Sequence, residues 1–212
     1  MTGTETNDVV FDCGNSRGKV VAEALRGQAD HVGITDGYGA YKNMFTRHAL
    51  CWAHPHRKLR DLVGSEALPE EERTHCTDVF RDFATLYAKV ESVRQRPFDQ
   101  TEREEAAGRL GVEFDAVTAP HPSDPPQLAR IKTHLRGEKQ HYFTCVLEEG
   151  IPADNNKAER ALRHLVIKRK TSFGSKTQRG AEAVSILTSV ILSLWWRKPK
   201  SFFAELLALR GV

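Results

Sequence analysis

Two acidic residues stand where a carboxylate could hold a metal ion. Asp36 follows the β-prone run His31–Thr35 and precedes Gly37. Asp-Gly after a strand is a common turn signal, but the carboxyl ends of strands in open α/β sheets are also where ligands collect. Glu159 lies three residues after Asn156, a spacing that suits a helix-capping box as well as a ligand. The residues alone leave both interpretations open for each carboxylate.

Helical spacing gathers polar side chains around Glu159. By the i, i+3, i+4 rule, one helix face carries Asn155, Asn156, Glu159 and Arg163. This spacing places two amides, a carboxylate and a guanidinium together. The alternative is a simple surface ion pair between Glu159 and Arg163, worth a few tenths of a kcal/mol.

The segment Cys51-Trp52-Ala53-His54 contains a further candidate. Its Cys/His pair raises the question of zinc, but the nearby candidates supply no second pair with finger-like spacing, so zinc is disfavoured. Those candidates are His56, His75 and Cys76. We expect Cys51 and Trp52 to pack in a core. His54 is then either a satisfied core histidine or a group that orients a carboxylate or contacts a phosphate.

Positive charge is concentrated in one stretch of the chain. The whole sequence of 212 residues has 31 basic and 28 acidic residues, too even a balance to indicate nucleic-acid binding by itself. Between Asn155 and Gly180, however, eight basic residues stand against Glu159 alone, a net charge of +7. Phosphate contact accounts for such an excess, and a solvated charged loop around Lys168–Lys176 is the alternative. The basic residues are Lys157, Arg160, Arg163, Lys168, Arg169, Lys170, Lys176 and Arg179.

The elements that carry these residues change in character along the chain. Residues 1–63 are predicted to be α/β, with a helix over Ser16–Arg26 and strands at Val9–Phe11, His31–Thr35 and Ala49–Trp52. Residues 64–150 are predicted to form an all-helical insertion. Its apolar stripes are Phe80, Phe83, Ala84, Tyr87 and Val90 on one helix, and Leu128, Ile131, Leu135, Tyr142 and Val146 on a later one.

Residues 151–212 are predicted to form C-terminal helices with a break at Trp195–Pro199. The apolar stretch Ala183–Trp196 is interrupted by serine and threonine and is shorter than the roughly 18–20 residues that span a bilayer. The N-terminus shows no signal-peptide pattern, and the four cysteines include no Cys-x-x-Cys pair. We therefore expect no membrane association and a cytoplasmic location.

Four motifs, taken in order, make the sequence recognisable. They are Thr35–Tyr41, then Cys51–His54 with its Arg57-Lys58 tail, then Ile151–Arg163, and finally Ile167–Lys170 with Phe173–Ser175. In order and spacing, over nearly the whole chain, they resemble the bacterial insertion-sequence transposases of the sixty-six family.

The resemblance implies a fold and a chemistry. Members of that family are DDE transposases with a ribonuclease-H-like core, in which two Asp and one Glu hold two divalent cations, Mg²⁺ or Mn²⁺. By resemblance Asp36 matches the second Asp and Glu159 the Glu, and the 122 residues between them suit an inserted helical subdomain. The expected fold class is therefore α/β, mostly α, with an incomplete ribonuclease-H-like core, a long all-helical insertion and C-terminal helices.

The other candidates take supporting roles under this resemblance. His54, Asn155 and Asn156 would orient the ligands or contact phosphate. The DNA backbone would be bound by basic residues, namely Lys157, Arg160, Arg163, Lys168, Arg169, Lys170 and Lys176. The expected partners are the DNA ends of the element and its target DNA.

The family's first Asp, which stands in an Asp-Glu-Thr motif, has no counterpart in the 35 residues before Asp36. We therefore expect a truncated transposase that works as a homo-oligomer or with a partner supplying the missing parts. A two-metal site short of one carboxylate holds its second ion weakly. Two alternatives to an active enzyme thus stay open: a non-catalytic DNA-binding remnant, and a helical interaction module with no nucleic-acid role.

Overall fold

A computed structural model of the chain describes residues 2–3, 9–11, 23, 32–41, 44–172 and 175–209. The chain divides into two compact units. The central unit consists of Asp30–Tyr38 and Phe45–Asn155, and the terminal unit of Met1–Ala29, Gly39–Met44 and Asn156–Val212. The described part is mostly helical and contains a pair of parallel strands, in agreement with the expected α/β, mostly α, class. The ribonuclease-H-like core stays a prediction.

The elements follow one another in a simple order. The strands are β1 (Thr2–Gly3), β2 (Val9–Val10), β3 (Val32–Thr35) and β4 (Arg47–Leu50). The helices of the central unit are α1 (Ala53–Val63), α2 (Glu70–Arg94), α3 (Gln100–Thr118), α4 (Pro126–Gly137) and α5 (Lys139–Leu147). The terminal unit contains α6 (Asn156–Ser172), α7 (Gln178–Arg197) and α8 (Phe202–Ala208).

The parallel strand pair lies in the central unit. β3 and β4 run in register from Val32 opposite Arg47 to Thr35 opposite Leu50, close to the predicted strands. β4 begins two residues before the predicted Ala49, at the exposed Arg47. A Cβ on Gly33 would overlap the ring of Phe45, so this strand needs a glycine where the aromatic ring covers its backbone.

Capping residues set the helix limits of the central unit. α3 begins after Asp99, whose side chain accepts a hydrogen bond from the backbone N–H of Glu102 at 2.8 Å. α4 begins at Pro126, where a proline costs little because the first backbone N–H groups of a helix have no partner within it. The apolar stripe predicted around Phe83 and Val90 lies on α2, and both of these residues are buried.

The second predicted stripe does not lie on one helix. Leu128 and Leu135 are on α4, whereas Tyr142 and Val146 are on α5. Between them the backbone of Glu138 leaves the helical region, with φ −115° and ψ 16°. Glycine weakens a helix, and the preceding residue is the last one of α4, Gly137. Apolar spacing continues across this break, so periodicity alone could not reveal it.

Trp52 lies at the centre of the main core. It is fully buried, and its ring lies 5.5–5.8 Å from the rings of Phe83, Tyr87, Phe114, Tyr142 and Phe143. The indole Nε1–H donates a hydrogen bond to the backbone carbonyl of Tyr142 at 2.7 Å, which satisfies the polar end of an otherwise apolar side chain. The prediction that Cys51 and Trp52 pack in a core is confirmed.

The terminal unit has a smaller core. β1 and β2 pair in antiparallel fashion, and Phe11, just after β2, packs with Ala161 and Leu192. The predicted helix over Ser16–Arg26 lies outside the described residues, apart from Glu23, which is helical. The predicted break near the C-terminus falls at Lys198, in the left-handed conformation, just before a proline. Among the described helices, none combines the length and apolarity needed to cross a membrane.

Candidate functional site

Asp36 lies directly after β3, at the carboxyl end of the strand. Its side chain is exposed, and its Oδ1 accepts a hydrogen bond from the backbone N–H of Tyr38 at 3.0 Å. Just before it, the Thr35 hydroxyl lies 2.8 Å from Nε2 of His48, which joins the two parallel strands. The turn signal is therefore confirmed. The same turn presents the carboxylate at a strand end, so the turn and ligand interpretations are compatible.

The turn after Asp36 depends on a glycine. Gly37 has φ +78°, in a region that L side chains rarely adopt. A Cβ there would lie 3.3 Å from Nε2 of His134 on α4. The sequence did not single out His134, because a histidine on an amphipathic helix gives no signal of the loop that it will approach.

His54 lies in the first turn of α1 and is half-buried. Nη2 of Arg57 lies 3.4 Å from both ring nitrogens of His54, so a cation stands beside the imidazole. The preceding Cys51 is buried, and its Sγ accepts a hydrogen bond from the backbone N–H of Asn155 at 3.3 Å. Next to it, the N–H of Trp52 donates to the carbonyl of Ala153 at 2.9 Å. Two predicted motifs, distant in sequence, thus meet within the central unit.

The residues considered for zinc have other environments. His75 Nε2 lies 2.8 Å from Oδ1 of Asp124, and Cys76 is fully buried in the main core. Burial, with smaller contributions from Arg60 and Arg57, lowers the pKa of His56, whose ring lies 5.0 Å from that of Phe80. Within the described part of the chain, no three of the five Cys and His candidates come together as ligands. The rejection of zinc stays a prediction.

Glu159 lies in the first turn of α6 and is half-buried, whereas Arg160 and Arg163 are exposed. An acidic side chain at this end of a helix complements the helix dipole. Asn155 precedes the helix and belongs to the central unit. Of the four residues predicted to share a face, three therefore lie on α6: Asn156, Glu159 and Arg163.

The basic segment is helical where a loop was the alternative. α6 continues to Ser172, so Lys168, Arg169 and Lys170 lie near its end, and the side chains of Lys168 and Lys170 are exposed. Cations near a helix C-terminus are favoured by the dipole. Lys176 is exposed between α6 and α7. The loop interpretation is thus wrong for Lys168–Lys170, and a helix fixes the spacing of these charges.

A cleft of about 660 Å³ opens in the terminal unit, beside α6. It is lined by cationic and aromatic side chains, namely Lys157, Arg160, Lys198, Trp195, Trp196 and Phe202, together with Pro199. The basic residues of α6 stand out in the sequence, whereas the aromatic residues of the cleft do not. The available signal is the pair of adjacent tryptophans followed by a basic pair and a proline, a pattern that predicts a helix break.

The predicted ligands belong to different units. Asp36, His54 and Asn155 are in the central unit, whereas Asn156, Glu159 and the predicted DNA-binding residues are in the terminal unit. The meeting of Asp36 and Glu159 at one pair of cations stays a prediction.

The family model described as "Transposase IS66 family" matches residues 1–183. Since this match covers most of the chain, the chain belongs to the IS66 family of transposases. Neither the curated proteins nor the solved structures contain a match. The family assigns a transposase function.

Proposed function

We propose that this chain performs DDE transposition chemistry, the metal-dependent cleavage and transfer of DNA strands, with Asp36 and Glu159 as cation ligands. The observation that carries the proposal is the exposed Asp36 carboxylate at the end of a parallel strand. Strand ends of this kind are where ligand sites form in open α/β sheets. The IS66 family match over residues 1–183 supplies the DNA context.

The chemistry of the donors fits Mg²⁺ or Mn²⁺. Both proposed ligands are carboxylates, the hard oxygen donors that Mg²⁺ prefers, and Mg²⁺ keeps several waters rather than demanding an all-protein cage. The hydrogen bond from Tyr38 engages Oδ1 of Asp36 and holds the side chain at the turn. A fixed orientation lowers the entropy that a ligand loses on binding a metal. When bound, two such ions would activate a water or 3′-hydroxyl and stabilise the leaving oxygen.

The chain's own residues bind and position the DNA in this proposal. Exposed cations on α6, among them Arg160, Arg163 and Lys168, contact phosphates. His54, with the guanidinium of Arg57 beside its ring, contacts a phosphate or a ligand carboxylate. Phosphate contacts of this type release counterions, so affinity for DNA falls steeply as salt rises.

The test is nicking of supercoiled plasmid by the full chain in Mn²⁺ or Mg²⁺, together with calorimetric titration of Mn²⁺. Removing an outer partner of a metal ligand typically costs about 10- to 100-fold in affinity or activity, so we expect Asp36→Asn and Glu159→Gln each to lower nicking by at least that factor. Asp61→Asn is the control for Asp36, because Asp61 is an exposed aspartate on α1. Glu205→Gln is the control for Glu159, because Glu205 also lies in the first turn of a helix. Equal activity of the ligand and control variants would overturn the proposal.

A second candidate is a protein that binds DNA without cutting it. The exposed cations on α6 favour this function independently of any metal. It predicts salt-sensitive DNA binding that is unchanged by EDTA and by Asp36→Asn, with no nicking in Mn²⁺. If the chain failed to bind duplex DNA even at low salt, both candidates would fail and a helical interaction module would be favoured.

A further inference from the structure

The cleft beside α6 combines cationic and aromatic side chains. Three cations, Lys157, Arg160 and Lys198, line it together with Trp195 and other aromatic residues. Among the described residues that line this cleft, none is acidic. The charge of the lining therefore selects a polyanion, and the volume of about 660 Å³ lies within the range of roughly 300–1,000 Å³ typical of sites for small ligands.

The aromatic side chains are arranged as a surface for stacking. Trp195 is 65% exposed, and its ring meets that of Phe202 edge to face at 6.1 Å. On the neighbouring wall, Nζ of Lys157 lies 5.5 Å from the ring centroid of Trp196, within the range of cation–π contacts. A large exposed tryptophan surrounded by cations is the combination that single-stranded nucleic acids use, because bases stack on the ring while phosphates meet the charges.

The backbone at the rim of the cleft is held in an uncommon conformation. Lys198 has φ 49°, and among the described residues it is the one non-glycine with positive φ. Its N–H donates a hydrogen bond to the carbonyl of Trp195 at 3.3 Å, which fixes the end of α7. A left-handed residue after the last turn is a common way for a helix to end. The conformation turns the chain so that Lys198 and Phe202 both line the cleft.

We propose that this cleft binds an unpaired segment of DNA, with a base stacked on Trp195 and its phosphates held by Lys157, Arg160 and Lys198. The proposal rests on the proposed function for its DNA substrate and deepens it by naming the form of DNA. Duplex DNA does not suit the cleft, because its bases are already stacked on each other. Lys157 and Arg160 lie on the same helix as the proposed ligand Glu159, but positions one or two residues apart point to different sides of a helix, so the cleft is a separate binding surface on α6.

The test is titration of the full chain, in EDTA and at low salt, with a short oligothymidylate, its duplex, and an abasic oligomer of equal charge. We expect the oligothymidylate to quench tryptophan fluorescence and to bind more tightly than the abasic oligomer. Trp52 supplies a constant background, because it is fully buried in the central unit. Equal affinity and equal quenching for the oligothymidylate and the abasic oligomer would overturn the proposal.

Substitutions locate the binding in the cleft. Trp195→Ala should weaken oligothymidylate binding by roughly 5- to 100-fold, the range expected for loss of one stacked base, while duplex binding stays unchanged. Phe203→Ala is the matched control, because Phe203 is also an exposed aromatic residue, 74% exposed, that does not line the cleft. Trp195→Phe keeps an aromatic ring and should therefore retain most of the affinity. The unfolding temperature of Trp195→Ala checks that the alanine variant is folded. Equal effects of Trp195→Ala and Phe203→Ala would contradict the proposal.

The remaining outcomes separate the two proposals. Loss of nicking in Glu159→Gln with intact oligothymidylate binding supports both. Oligothymidylate binding without any metal-dependent nicking by the unaltered chain refutes the proposed function and leaves the cleft as assigned. If the chain nicks DNA but Trp195→Ala leaves its binding of unpaired DNA unchanged, the cleft proposal fails and the proposed function stands. Self-association that Trp195→Ala abolishes, with no DNA effect, would make this surface a contact between copies of the chain and overturn the proposal.

Discussion

Replacing Lys132 by methionine tests how a buried ion pair holds the helical part of the central unit together. Nζ of Lys132 lies 2.6 Å from Oδ1 of Asp124, and the two side chains are 5% and 4% exposed. The same ammonium group donates to the carbonyl of Ala119 at 3.0 Å. Asp124 also meets His75 at 2.8 Å and accepts from the backbone N–H of His121 at 2.9 Å. The ion pair and the hydrogen bonds of Asp124 thus connect the loop before α4 with α2 and α4.

The magnitude follows from the burial of the pair. Lys132→Met keeps most of the apolar stem but leaves the Asp124 carboxylate buried without its ammonium partner, which costs about 3–5 kcal/mol of unfolding free energy. The matched control is Lys89→Met. Nζ of Lys89 lies 2.6 Å from Oε2 of Glu113, but those side chains are 49% and 43% exposed. A solvent-screened pair of this kind is worth at most about 1 kcal/mol. The two substitutions should therefore differ severalfold in the unfolding free energy that they cost, although the two ion pairs are equally short.

The assay is urea unfolding followed by circular dichroism and tryptophan fluorescence, with an unchanged slope as the check that the folded state is comparable. Burial acts to raise the pKa of Asp124, but hydrogen bonds from Lys132, His75 and the backbone of His121 outweigh it and hold the pKa below its ordinary value. A depressed carboxyl pKa contributes stability above the unfolded value of about 3.9, and this contribution is lost as the pH falls through the folded value. The difference in unfolding free energy between Lys132→Met and the unaltered chain should therefore be largest near neutral pH and should decrease in acid. Equal losses for Lys132→Met and Lys89→Met at neutral pH would refute the reasoning.

Four further substitutions test the strands and the core. Gly37→Ala should cost about 1–2 kcal/mol, because φ is +78° there, and an unchanged urea midpoint would contradict the assigned turn. Trp52→Ala should cost about 3–5 kcal/mol in the same assay, because it opens a cavity in the main core; a loss under about 1 kcal/mol would show that Trp52 is not central to it. Gly33→Ala should lower the thermal unfolding temperature sharply because its Cβ would overlap Phe45, and Phe45→Ala should cost less in the Gly33→Ala background than alone. Additive effects of these two changes would show that the residues do not touch.

Local patterns accounted for much of the fold. Apolar spacing located α2, and turn and break signals located the end of β3 and the end of α7. The same reasoning failed between α4 and α5, because apolar residues continue in helical spacing across the break at Glu138. A periodic pattern records which side chains face a core, and two consecutive helices packed on one core share that pattern.

The candidate site was likewise predictable from the sequence only in part. The residue types and motif spacings of the sequence by themselves determined the family, the carboxylates proposed as ligands and the stretch that carries the excess of positive charge. Only the tertiary structure decided that Cys51 meets the backbone of Asn155, that His134 approaches the turn after Asp36, and that Trp195 and Lys157 line one cleft. Sequence spacing reports neighbours along one element, whereas these contacts join residues on elements far apart in the chain, and their distances are set by how the helices pack.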